Sequence, residues 1–274
     1  MEPLAQRGRT DARESLCLAL PTAPPEYLLA ALDNPALGAE EVALILENRG
    51  ATAEILGRIG RTPGWMRSRE AKRALVAHPK APSTVSRRFL PHLFWKDLVA
   101  VAANLRILPV VRRDAEKLVR LRLPELTTGE RVTMARVASR GLVVLLRDAE
   151  EPAVLQALAG SPRFTEGDLV HVLARPGLPT EFLGWLADRS AWSQRAEARR
   201  ALVRHPRTPS ASALRLVAKL TRRQLEDLAR DETAPRLVRV AAERRLGVDT
   251  HSDGSLQSPA DRRHPGPRGL STSR

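Results

Sequence analysis

Apolar residues recur at i, i+3 and i+4 along most of the chain. Residues 197–210 read EARRALVRHPRTPS, where Ala198, Ala201 and Leu202 form one stripe and His205 stands next on it. That is the period of an amphipathic helix. No run alternates apolar and polar residues with β-branched enrichment, and no Asn-Gly or Asp-Gly pair joins two such runs, so strands are not expected. Helix starts are marked by Ser, Thr, Gly or Pro, often with an early Glu, as in AEEVALILEN, PSTVSRRFLPHL and TGERVTMARVA.

The pattern repeats. Residues 70–83 read EAKRALVAHPKAPS, nearly the string at 197–210. Trp65 and Trp192, Pro35 and Pro162, and Ser83 and Ser210 stand at the same offset, about 127 residues. A finer period lies beneath it. Pro35, Pro79, Pro124, Pro162 and Pro206 each follow a helix end, spaced by about 44, 45, 38 and 44 residues. Proline forces a turn there, because it lacks an N–H and disfavours helix in the residue before it. Between prolines the apolar period marks three short helices, each too short to be stable alone. Such units bury their stripes against their neighbours. The expected fold is all-α: an α-solenoid, a HEAT/armadillo-like superhelix of about five units of about 44 residues, three short helices each.

The HPKAP and HPRTP turns carry a resemblance. The units resemble HEAT-like α-solenoid repeats, and the turns are similar to those of the leucine-rich-repeat variant, with its Asn-Pro-x-Thr-Pro-type signature. The resemblance covers roughly residues 22–247. It implies a scaffold, transport adaptor, regulatory subunit or, in a few relatives, an enzyme. One member of the variant family holds an iron–sulfur cluster on cysteines this chain lacks. Some HEAT-repeat hydroxylases hold iron on His-Glu dipeptides, which this chain also lacks. The expected organisation is an N-terminal arm or capping helix at 1–21, the solenoid at 22–247, and a disordered Ser/Gly/Pro/Arg-rich tail at 248–274.

Composition adds detail. Hydrophobic residues are 43% and aromatics only 3%, so the core is aliphatic. Lys and Arg number 45 against 31 Asp and Glu, a net charge of +14. That charge fits an anionic partner, or equally a GC-rich genome in which Arg codons abound. The single cysteine, Cys17, excludes an internal disulfide. No apolar run reaches membrane-spanning length, and LCLAL is too short for a signal segment, so a cytoplasmic location is expected.

Candidate chemistry is sparse. His78 and His205 share the slot before the proline, held elsewhere by Asn34, Leu123 and Ser161. Such a slot reads as a helix end, where a polar side chain meets loose carbonyls. Trp65 and Trp192 read as plugs between layers, or as stacking surfaces for a base or ligand. Aligning the third helices puts Arg73 and Arg200 in one slot, with Lys117 if one extra residue is allowed before Pro124, Gln156 in the fourth unit, Leu29 in the first and Arg244 as the loosest match in the last. This ladder could follow an acidic partner or a phosphate backbone. Alternatively, Glu70, Asp114 and Glu197, three residues before Arg73, Lys117 and Arg200, neutralise it locally. No phosphate loop, dinucleotide fingerprint, nucleophile elbow or H-E-x-x-H is present, so no enzymatic activity, metal or small-molecule cofactor is expected. The expected function is a protein-interaction scaffold or adaptor with a protein partner. Nucleic-acid binding through the ladder, including a DNA-glycosylase-like role, is the alternative.

Overall fold

The computed structural model describes residues 3–253, with side chains to residue 247. The described residues are helical, without strands. In chain order the helices fall into threes. The first three are α1 (Leu4–Thr10), α2 (Arg13–Ala19) and α3 (Pro25–Ala31). Then come α4 (Ala39–Glu47), α5 (Ala53–Arg61) and α6 (Arg69–Ala77), followed by α7 (Ser83–Phe89), α8 (Trp95–Ala103) and α9 (Pro109–Arg122). Next are α10 (Thr128–Arg136), α11 (Arg140–Leu146) and α12 (Pro152–Ala159), then α13 (Glu166–Leu173), α14 (Thr180–Asp188) and α15 (Ala196–Arg204). The last are α16 (Ser210–Val217), α17 (Arg222–Arg230) and α18 (Arg236–Asp253).

Local chemistry sets these boundaries. Thr52, Ser68, Thr127, Ser139 and Thr221 cap their helices by accepting a backbone N–H, and Pro25, Pro109 and Pro152 sit at the first helical position. Pro91 and Pro124 tighten the chain into 3₁₀ turns after α7 and α9. Two ends differ from the sequence expectation. Residues 3–21 hold two helices, and α1 packs on α3. Tyr27 of α3 donates its hydroxyl to Asp11 at 2.6 Å. Helix α18 runs past Gly247 to Asp253. A lone glycine costs a helix only about 1 kcal/mol, so it need not end one. The rest of the expected tail lies outside the described residues.

The chain forms two compact units divided after Val172. In the first, helices pack on near neighbours in sequence. Third helices pack on the second helices of the next group (α3 on α5, α6 on α8, α9 on α11), and second helices on the next first helices (α2 on α4, α5 on α7). In the second unit α14, α15 and α18 all pack on α16, and α17 packs on α18. The buried side chains are chiefly Leu, Val, Ile and Ala, among them Leu28, Ile45, Leu75, Leu98, Leu183 and Leu202. On α15 the stripe of Ala198, Leu202 and His205 is buried and Ala201 half-buried.

One close approach has a measurable consequence. A methyl group on Gly60 of α5 would lie 2.2 Å from Val85 Cγ1 on α7 and 3.2 Å from Leu75 Cδ2 on α6. Valine is stiff and cannot swing aside. Gly60→Ala is therefore expected to destabilise by about 1–2 kcal/mol, although alanine is the better helix former. A urea midpoint at or above that of the native chain would show that α7 gives way freely.

Candidate interaction groove

The helix-end slot has a defined job. His78 Nδ1 accepts the N–H of Lys80 at 3.1 Å, so Nε2 carries the proton and meets the carbonyl of Asn48 at 3.3 Å. His205 repeats this, with Arg207 N at 3.2 Å and the Arg175 carbonyl at 2.9 Å. From the sequence these side chains are expected at loose helix carbonyls. The carbonyls they reach lie some 30 residues earlier, at the C-terminal end of the first helix of the same three (Asn48, the residue that caps α4) or just beyond it (Arg175, after α13). The residue after the proline joins in. Lys80 donates to Arg49 O at 2.8 Å and Arg207 to Gly177 O at 2.9 Å. Asn34 does the same at the end of α1, donating to Gly8 O in its last turn and to Asp11 O just after it, both at 3.0 Å, while accepting from Ala36 N. Where the slot holds Leu123, the preceding Arg122 reaches Leu93 O and Pro91 O. Where it holds Ser161, Arg163 reaches Ala138 O at 3.4 Å. Both histidines are thus structural brackets.

A second recurrent contact escaped the sequence reading. Glu41 and Asp168 each stand in the first turn of a first helix with a side chain only 1% exposed. Arg13, opening α2, donates Nε to Glu41 at 2.5 Å, and Arg140, opening α11, grips both Asp168 oxygens. Burial pushes the Asp168 carboxyl up, but the hydrogen bonds from Arg140 and Thr165 outweigh it and hold it down to about 2. The two pairs stand at the offset of the recurring strings, which was the signal available.

The tryptophans are half-buried, and the Arg195 guanidinium lies 4.6 Å from the centre of the Trp192 ring. Of the ladder residues, Lys117 pairs with Asp114 at 3.2 Å and Arg200 with Glu197 at 3.0 Å. The Lys117 ammonium, and with it Arg87, holds Asp114 below the usual carboxylate range. Arg73 is exposed and makes no ion pair among the described residues; its neighbour Glu70 pairs with Arg69. Gln156 is half-buried and Arg244 exposed. Local neutralisation therefore holds at Lys117 and Arg200.

Lys117 also lines a groove. Its walls are α9, a third helix, and α11, the second helix of the next group, and it encloses about 690 Å³. Arg113, Lys117 and Arg120 follow one another at i, i+4 and i+7 along α9, with Leu121 beside them. Across the groove stand Gly141, Leu142, Val144 and Leu145. Leu121 is 72% exposed. The groove's one carboxylate, Glu116, is half-buried and accepts the Ser139 hydroxyl at 2.5 Å. Glycine at 141 makes room for it, since a Cβ there would lie 2.2 Å from Glu116 Oε2. Arg113 and Arg120 make no ion pair among the described residues. Lys117 is a ladder residue expected from the sequence; Arg113, Arg120, Leu121 and the α11 wall join it only in the structure. Their shared face on α9 was legible from spacing, whereas the facing helix was not.

Among the described residues no group of three His, Cys, Asp or Glu side chains converges as metal ligands would. No described helix is long and apolar enough to cross a membrane. No protein-family model, no curated protein and no solved structure matches this chain.

Proposed function

We propose that this chain is a non-enzymatic interaction protein, a HEAT-like α-solenoid of three-helix units that serves as a scaffold or adaptor for a protein partner. The observation that carries the reading is the α9/α11 groove, an apolar floor open to solvent beside three cations. Leu121 adds an exposed apolar side chain to the rim of that recess, so that apolar surface and positive charge stand side by side in one concavity. Packing of helices on near neighbours in sequence supports the solenoid, which presents such recesses between successive units. The ladder supports nucleic-acid binding less well, because Gln156 is uncharged and Arg200 already holds Glu197.

The test pairs affinity capture on the full chain with a mobility-shift titration on mixed DNA and RNA from about 50 to 200 mM salt, where phosphate contacts weaken sharply. The expected result is a stoichiometric protein complex that survives the higher salt, and no nucleic-acid shift. A shift that falls with salt by roughly 0.9 log units per phosphate contacted and vanishes in Arg73→Ala/Lys117→Ala/Arg200→Ala would replace the scaffold with a nucleic-acid-binding protein.

A further inference from the structure

We infer that the α9/α11 groove takes an acidic amphipathic helix of the partner protein, with leucine-type side chains on the groove floor and carboxylates on the α9 cations. The inference rests on the interaction reading and names the chemistry of its partner.

Charge and spacing carry it. Arg113, Lys117 and Arg120 span seven residues of helix, about 10 Å along the axis, or two turns. A helix laid alongside presents side chains at the same i, i+4, i+7 rhythm, so carboxylates one turn apart meet successive cations. The site has little negative charge to repel them. Glu116 is turned toward Ser139 and Asp114 is shared between Lys117 and Arg87. The apolar half of the match comes from Leu121, Val144 and Leu145, which line the same recess. Helix-in-groove partners use such i, i+3/i+4 apolar anchors.

The same features disfavour a phosphate backbone. Single-stranded nucleic acid needs aromatic faces for its bases, and none lines this groove. Phosphates bound to the three cations would leave Leu121 uncovered. A lipid surface is the wrong shape for a recess between two helices.

The probe is a fluorescent, helix-stapled acidic peptide of about four turns, with Leu and Glu on adjacent stripes. It is titrated into the full chain and read by anisotropy. Comparison probes are the same peptide with Ser for every Leu, a single-stranded oligonucleotide and anionic phosphatidylserine vesicles. The expected affinity is micromolar, with at least about tenfold loss in Leu121→Asp and in Arg113→Glu/Arg120→Glu, and no change in Arg73→Glu on α6. The serine peptide is expected to lose a similar factor. These side chains are exposed, so helicity and the melting midpoint should stay native. Leu121→Ala gives a second reading of the apolar contact should the aspartate disturb folding.

Peptide affinity indifferent to Leu121, or equal for the serine peptide, overturns the inference. So does tighter binding of the oligonucleotide or vesicles that depends on Arg113 and Arg120 but not on Leu121. A partner captured by the full chain that binds Leu121→Asp and Arg113→Glu/Arg120→Glu normally would sink the groove and leave the scaffold reading standing. Failure to capture any protein, with the peptide also silent, would remove both.

Discussion

Arg140→Ala is expected to lower stability by about 2–3 kcal/mol, among the larger effects of a single surface-accessible residue. The Arg140 side chain is 53% exposed, but the carboxylate it holds is not. Removing the guanidinium strands a buried anion. Asp168 would keep the Thr165 N–H and hydroxyl, at 2.9 and 2.7 Å, and a distant Arg147 at 3.7 Å. Those partners keep the cost below the upper end for broken buried pairs. Asp168→Asn in the same background should recover about 1 kcal/mol, because an amide oxygen can still accept the capping N–H without a charge to desolvate.

The pH dependence has a definite sign. Asp168 is held at about 2, below its ordinary 3.8, so the pair stabilises above about pH 4 and the contribution is lost as pH falls towards 2. Its size is on the order of 1–2 kcal/mol after allowing for water around the exposed arginine. Arg140→Ala should flatten that acid limb. Urea midpoints at neutral pH and near pH 3 test both statements. A neutral-pH midpoint within about 0.5 kcal/mol of native would mean that the pair behaves as an ordinary surface ion pair.

What the sequence disclosed, and what it hid, follows from where each interaction lives. Helices are local, so the 3.6-residue period, the capping residues and the prolines mark α4, α6, α7, α10 and α15 to within a few residues. The recurrence of EAKRALVAHPKAPS as EARRALVRHPRTPS was visible, but its purpose was not. His78 and Lys80 act on carbonyls at the end of α4, some 30 residues away, and that distance is set by helix packing. The groove failed to appear for the same reason. Arg113, Lys117 and Arg120 share a face by spacing, while Leu145 comes opposite only because α9 packs on α11. The ladder takes equal sequence slots as neighbours. Yet α6 packs mainly on α4, α7 and α8, and α9 on α7, α8 and α11, so the side chains next to Lys117 come from a second helix.

His78 supplies the other large effect. His78→Ala removes both ends of a bracket: the Lys80 N–H loses its acceptor, and the Asn48 carbonyl is left with the Ala51 N–H at 3.0 Å, at an expected cost of about 1–2 kcal/mol. His78→Asn is expected to recover most of it, because the chain already uses asparagine for this contact. Asn34 brackets the end of α1, and Asn48 donates to Leu20 O and Ala23 O at 2.7 and 3.0 Å while accepting from Gly50 N at 2.7 Å. An amide has an acceptor and a donor in the same relation as the two ring nitrogens.

The two variants part on pH. Burial pushes the His78 imidazole down, and protonating Nδ1 would set a second donor against the Lys80 N–H. The unfolded chain therefore takes up the proton first. The bracket stabilises fully above about pH 6.5, and its contribution is lost as pH falls below that towards the lowered folded value. Asparagine does not titrate, so the loss in melting midpoint between about pH 7.5 and 5.5 should be smaller in His78→Asn than in the native chain. If His78→Asn is as unstable as His78→Ala, the ring's bulk rather than its two hydrogen bonds holds the turn. If the two melting curves shift in parallel with pH, His78 is not buried in its neutral form.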